Sequence, residues 1–242
     1  MLYPTKFLVR QSTPTVPSSQ GEGLRALALL TAVCLLFAVG RGLFTGVWWY
    51  LIMGAWNLFL ALFPLGIMLV LRDLRSAPGL LTGNRLKLVT YSALALWLLF
   101  MPNAPYIITD LFHLRHTDNT YIYYDTLLIF VGALTGLLAG LYSTLLAHRL
   151  LNTLTNGVTA WGLVLACQAL AGFGIFLGRF GRWNSWHLVS KPIVLSRALW
   201  DALGDPVAQK VTLTYGFGLA VLYVAFWLFT ESRVSTRSAT YP

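Results

Sequence analysis

The sequence predicts an all-α fold, a polytopic membrane bundle of about six transmembrane helices with short interfacial helices. Three observations predict it. Only 10% of the 242 residues are charged and 57% are hydrophobic, with a mean hydropathy of +0.69. A water-soluble domain carries roughly 25% charged residues, so this chain lacks the polar surface to coat a globule. Apolar stretches recur along most of the chain, each near the ~20 residues that a helix needs to cross ~30 Å of hydrocarbon. The cations gather in the short stretches between them, where they meet headgroups and set orientation.

Taken in order, residues 1–23 are rich in Pro, Ser, Thr and Gln and lack periodicity, which predicts a disordered tail. A single transmembrane domain is expected over 24–230, with spans at 24–40, 47–71, 86–101, 121–147, 155–178 and 211–230, and a C-terminal tail over 231–242. Arg25 and Arg41 bracket the first span. No internal repeat supports the inverted-repeat plan of secondary transporters. Gly132, Gly136 and Gly140 recur every four residues in the fourth span, and Gly174 and Gly178 do so in the fifth. Small residues at this spacing let helix backbones approach closely, and these two spans are expected to pack on each other.

The net charge of +9 raises nucleic acid as a partner. The chain has no basic run and no soluble domain to bind one, so membrane lipids are the expected partners and nucleic acid is not. Cys34 and Cys167 lie inside apolar stretches, outside any CxxC or zinc spacing, and read as small buried hydrophobes. No cofactor is expected, since no phosphate loop, nucleophile elbow or HExxH occurs.

Chemistry concentrates in the connections. After the third span comes Met101-Pro102-Asn103-Ala104-Pro105-Tyr106-Ile107-Ile108-Thr109-Asp110-Leu111-Phe112-His113. The two prolines end a helix and Pro105 suits the first turn of another. On an α-helix Tyr106, Asp110 and His113 form one stripe, opposite Ile107, Leu111 and Leu114. Such a stripe is either a solvated interfacial face or a carboxylate that holds an imidazole for proton transfer. Asp110, His113 and His116 are spaced three apart but fan over about 120° of an α-helix, so no metal site is expected.

The fifth span closes on Gly178-Arg179-Phe180-Gly181-Arg182-Trp183-Asn184-Ser185-Trp186-His187. If the helix continues, Arg179, Arg182, Trp183 and Trp186 share one side. They form either an interfacial belt or an anion site of guanidiniums beside indoles. Asp125 opens the fourth span on the same face, where the helix dipole welcomes a carboxylate, and Arg179 or Arg182 is its expected partner. In the long connection that follows, Leu195, Leu199 and Leu203 share a side, which predicts an interfacial helix that covers the site or floats among headgroups.

Pro102-Asn103-Ala104-Pro105-Tyr106-Ile107 with Thr109-Asp110-Leu111 and His113-Leu114, then Tyr124-Asp125, then Gly178-Arg179 and Arg182-Trp183-Asn184-Ser185-Trp186, resemble the signatures of the bacterial membrane family known as domain of unknown function 1361. The resemblance runs from about residue 45 to about residue 230. It implies a multi-pass protein of the bacterial inner membrane and supplies no reaction. The family's second signature usually continues Trp-Asp, whereas His187 follows Trp186 here.

Together these segments predict a polar site at the extracytoplasmic face. Asp110 and His113 are the expected acid/base pair, and Asn103, Tyr106, Asp125, Arg179, Arg182, Trp183, Asn184 and Trp186 the expected ligand-binding residues for an anionic lipid headgroup or small anion. A membrane assembly factor and a small-solute transporter are the alternatives. Orientation rests on cations. With the N-terminus inside, Lys6, Arg10, Arg25, Arg72, Arg75, Arg85, Lys87, Arg149, Arg233 and Arg237 are cytoplasmic, ten in all. Arg41, Arg115, Arg179, Arg182, Lys191, Arg197 and Lys210, seven in all, face outward. Both termini are therefore expected in the cytoplasm. Reporter fusions after Lys87 and after Arg149 should read cytoplasmic and one near Asp118 external; the reverse pattern would put the polar site inside.

Overall fold

The computed structural model describes residues 18–116 and 120–239. In order, the elements are α1 (Ser18–Thr45), α2 (Trp49–Ser76), α3 (Gly83–Phe100), α4 (Asn103–Tyr106), a 3-10 helix (Ile107–His116), α5 (Ile122–Leu154), α6 (Gly157–Arg179), α7 (His187–Ser190), α8 (Pro192–Gly204) and α9 (Pro206–Ala239). No strand occurs among the described residues. Six helical stretches are long and apolar enough to cross a membrane: Gly21–Thr45, Trp49–Ser76, Gly83–Arg115, Ile122–Leu154, Gly157–Arg179 and Pro206–Thr230. Leu36, Phe44, Leu213 and Phe217 stand exposed on the outside of the bundle, a surface that suits hydrocarbon rather than water.

The helices outrun the apolar runs that predicted them. Residues 18–23, read as tail, already belong to α1, and α9 continues to Ala239. Extending a formed helix costs far less than nucleating one, so polar flanks join the turn beside them. Residues 1–17 of the expected tail, residues 240–242 and Asp118 lie outside the described residues.

α5 runs through the centre, with Thr135, Ala139, Ser143 and Ala147 fully buried along it. Its glycines do not meet α6 as the spacing suggested. They form a slot that receives the segment after α3. A Cβ on Gly136 would lie 2.6 Å from the Ala104 carbonyl oxygen and 3.1 Å from the Ile107 side chain, and one on Gly140 would lie 3.0 Å from the Ala104 Cβ. The glycines of α6 hold the same segment from its other side: a Cβ on Gly174 would lie 2.6 Å from the Pro102 ring, and one on Gly178 would lie 3.0 Å from the Tyr106 ring. The stripes thus signal close approach, as expected, but the partner is the proline-rich turn wedged between the two spans. The direct backbone contact of α6 is with α9, where a Cβ on Gly172 would lie 2.7 Å from the Gly216 nitrogen.

The wedge is not the amphipathic α-helix that the sequence suggested. Pro102 and Pro105 withhold two amide donors, and α4 lasts one turn. The chain then tightens to 3-10 winding. Two side chains favour this by taking carbonyls three residues back: Thr109 Oγ1 donates to the Tyr106 oxygen at 2.7 Å, and His113 Nδ1 lies 3.1 Å from the Asp110 carbonyl oxygen. With three residues per turn, Ile107, Asp110 and His113 fall in one row and Tyr106 leaves it. A second buried polar seam crosses the bundle farther along α5, where His148 Nδ1 lies 2.7 Å from the Tyr223 hydroxyl and Gln168 Nε2 donates to Thr144 Oγ1 at 3.4 Å.

Candidate functional site

A cavity of about 660 Å³ opens beside the wedge, with walls from α1, α2, α5, α6 and α8. Its polar groups are few and come from distant parts of the chain. Asp110 projects from the 3-10 helix into it, half-buried, and its Oδ2 accepts from Asn57 Nδ2 of α2 at 2.9 Å. The other oxygen, Oδ1, lies 3.9 Å from Arg179 Nη1 and 3.7 Å from His113 Nδ1. Both separations exceed hydrogen-bond range, so a guanidinium and an imidazole flank this oxygen without closing on it.

Arg179 is the last residue of α6, where a cation complements the helix dipole. Its guanidinium also sits 5.6 Å from the Phe112 ring. The helix stops there instead of continuing through Arg182. Trp183 N–H bonds back to the Leu177 carbonyl at 3.0 Å, and Arg182 adopts φ 53° in the left-handed region, which costs a non-glycine residue about 1 kcal/mol. Gly181 permits the reversal, since a Cβ there would lie 2.5 Å from the Trp183 ring. Arg182 therefore turns out to solvent and does not line the cavity, contrary to the expected pairing of the two arginines. Trp183, Asn184, Ser185 and Trp186 do line it.

The loop is pinned across the wedge. Asn103 Nδ2 donates to the Phe100 carbonyl at 2.9 Å and to Ser185 Oγ at 3.2 Å, and Ser185 Oγ donates to the Leu99 carbonyl at 2.9 Å. Asn103, expected as a ligand residue, thus spends its donor group on joining the two signatures, and Tyr106 packs its ring over Gly178 at the cavity wall. His187 Nδ1 accepts the Asn184 backbone N–H at 3.1 Å, a loop-closing role open equally to a carboxylate. Trp49 stands 5.9 Å from the His113 ring and Trp56 stands 5.9 Å from Trp186. Leu188, Leu195 and Leu199 of the following segment complete the wall, so the segment covers the cavity, whereas Leu203 of the same stripe is exposed.

Asp125 also departs from its expected place. It is fully buried, and its partner is neither Arg179 nor Arg182 but Arg41 of α1, with Nε to Oδ1 at 2.7 Å and Nη2 to Oδ2 at 3.2 Å. Arg41 also lies over Tyr121 at 4.2 Å and Tyr50 at 5.1 Å. With both oxygens bonded, Asp125 has a structural role and is not among the cavity's lining residues. The pairing escapes the sequence because α1 runs past Arg41 to Thr45 and sets the guanidinium beside the start of α5. Among the described residues, no three His, Cys, Asp or Glu side chains gather to hold a metal ion, and the His116 side chain lies outside them.

The family model for the protein of unknown function DUF1361 matches residues 56–224, more than half of the chain. The chain belongs to this family. No curated protein and no solved structure matches it. The DUF1361 match takes in Asn57, Asp110, His113 and Arg179 but not α1, so the cavity's polar centre lies inside the shared region and Arg41 outside it. Of the site, the sequence missed Asn57, Trp49 and Trp56, and beside it Arg41 as the partner of Asp125. Asn57 carried a readable signal as a lone amide in an apolar span, where a polar group is expensive unless it has a partner.

Removing one partner of a buried ion pair costs about 3–5 kcal/mol, whereas replacing both is far milder. Asp125→Asn should therefore lower thermal stability in detergent sharply, Arg41→Met with Asp125→Leu should recover most of the loss, and Asp201→Asn on exposed α8 should stay within about 0.5 kcal/mol. An undiminished loss in the double variant would contradict the pairing.

Proposed function

We propose that this protein binds a membrane amphiphile through an anionic group of its head, at the extracytoplasmic face of a bacterial inner membrane, with both termini in the cytoplasm. The observation that carries this is the Arg179 guanidinium. It faces an apolar-walled cavity of about 660 Å³ and makes no hydrogen bond within the described protein, its nearest carboxylate standing 3.9 Å away. A planar fork of donors held at the rim of hydrocarbon calls for an acceptor, and a phosphate or carboxylate offers a bidentate one. The walls suit a chain rather than a small solute: Met53, Leu98, Phe173, Leu177 and Leu199 are apolar, with the polar groups gathered in one place. The cation count supports the outward orientation.

Proton transfer at the bound head is a second reading, favoured by the placement of His113. If Nδ1 carries its proton to the Asp110 carbonyl at 3.1 Å, Nε2 is left as the acceptor. Asp110 and His113 then act together at the head.

A charge-assisted hydrogen bond contributes about 1.5–3 kcal/mol, or roughly tenfold or more in affinity. The purified protein should retain dioleoyl phosphatidylglycerol more tightly than uncharged dioleoylglycerol by native mass spectrometry, and Arg179→Gln should weaken the phospholipid at least about tenfold. Equal retention of the two lipids, or no effect of the substitution, would contradict the proposal.

A further inference from the structure

The polar centre of the cavity presents two opposite charges, and neither is fully engaged. Arg179 holds its donors free of hydrogen bonds on one side. On the other, Asp110 offers Oδ1, which accepts no hydrogen bond, since Asn57 takes only Oδ2. The gap between them is 3.9 Å, too long for a bonded pair and too short for either group to ignore what the other binds. A purely anionic head docked on Arg179 must sit within a few ångströms of the Asp110 carboxylate, whose repulsion offsets part of the attraction. A head that carries its own cation next to the anion escapes this conflict. The anion takes the guanidinium fork, the cation takes Oδ1, and each half-buried charge of the protein gains a hydrogen-bonded partner of opposite sign.

The form of the cation follows from Oδ1. A carboxylate oxygen wants an N–H donor, which a primary ammonium supplies and a fully alkylated nitrogen does not. Trp49 and Trp56, on the same cavity wall, add ring faces that favour a cation. Resting on the binding reading above, we infer that the ligand head is a zwitterion that joins a phosphate to a primary ammonium. Asp110 then serves recognition, and any proton transfer at the amine falls to His113.

The test compares three probes on the intact purified protein: dioleoyl phosphatidylethanolamine, dioleoyl phosphatidylglycerol and soluble O-phosphoethanolamine. The ethanolamine lipid should bind about tenfold or more tighter than the glycerol lipid, and Asp110→Asn should bring that ratio to about one without weakening the glycerol lipid. Arg179→Gln should weaken both lipids. The soluble head should compete weakly if the lipid is the source and as strongly as the lipid if a free phosphoamine is. Glycerol lipid bound as tightly as ethanolamine lipid by the unaltered protein would overturn the zwitterion and leave the anion reading standing. Binding of none of the three probes would overturn the anion reading itself.

Discussion

Two helix faces without side chains determine where everything else in this molecule can go. Gly136 and Gly140 on α5, with Gly174 and Gly178 on α6, leave a slot just wide enough for the turn Pro102–Ile107, and a Cβ at Gly136 would strike the Ala104 carbonyl. Shut away from water, such a turn has to satisfy its backbone groups against protein. The slot allows this by burying Ala104 and Pro105, while Thr109 and His113 take carbonyls from within the segment. Fixing the turn fixes the row Ile107, Asp110 and His113 that follows it. Asp110 thereby meets Asn57 of α2 and faces Arg179 across the cavity.

Charge is handled in two ways at this end of the bundle. Arg41 and Asp125 neutralise each other in a bidentate pair, with tyrosine rings over the guanidinium, and so tie α1 to α5. Arg179 and Asp110 are held near each other but apart. The difference is physically informative, because a closed pair in low dielectric satisfies itself, whereas an open one gains by admitting a ligand that carries both signs.

The spans were legible because hydrocarbon thickness translates directly into about 20 apolar residues. Their ends were less so, since the polar flanks at Ser18–Gly23 take helical form at little cost once the apolar turn beside them exists. The glycine stripes announced close approach correctly, but spacing carries no label for the partner, and the wedge took the place assumed for a neighbouring span. The stripe Tyr106, Asp110 and His113 assumed 3.6 residues per turn, and prolines plus side-chain bonds to the backbone changed the period to three. Arg182 looked equivalent to Arg179 until the reversal at Gly181 sent it outward. Asp125 pairs with Arg41 and not with Arg179 or Arg182, because α1 runs to Thr45, beyond the apolar run 24–40, and carries Arg41 to the start of α5. Asp110, His113, Arg179, Trp183, Asn184 and Trp186 are read from the sequence as one cluster, and all six line the same cavity.

The seating of the turn in its slot is tested most directly by a disulfide across it. In a background with Cys34 and Cys167 replaced by alanine, Ala104→Cys and Gly140→Cys bring together positions whose Cβ atoms would stand 3.0 Å apart, about half an ångström short of the ordinary disulfide range of about 3.5–4.5 Å, so a small outward shift of the turn seats the bond. Mild oxidation of the membrane-embedded protein should join them within one chain, leaving no thiol open to alkylation, while Ala104→Cys paired with Gly162→Cys, a position with open space around it, should stay reduced. Two fully alkylatable thiols in the first pair would contradict the wedge and, with it, the placement of Asp110 opposite Arg179.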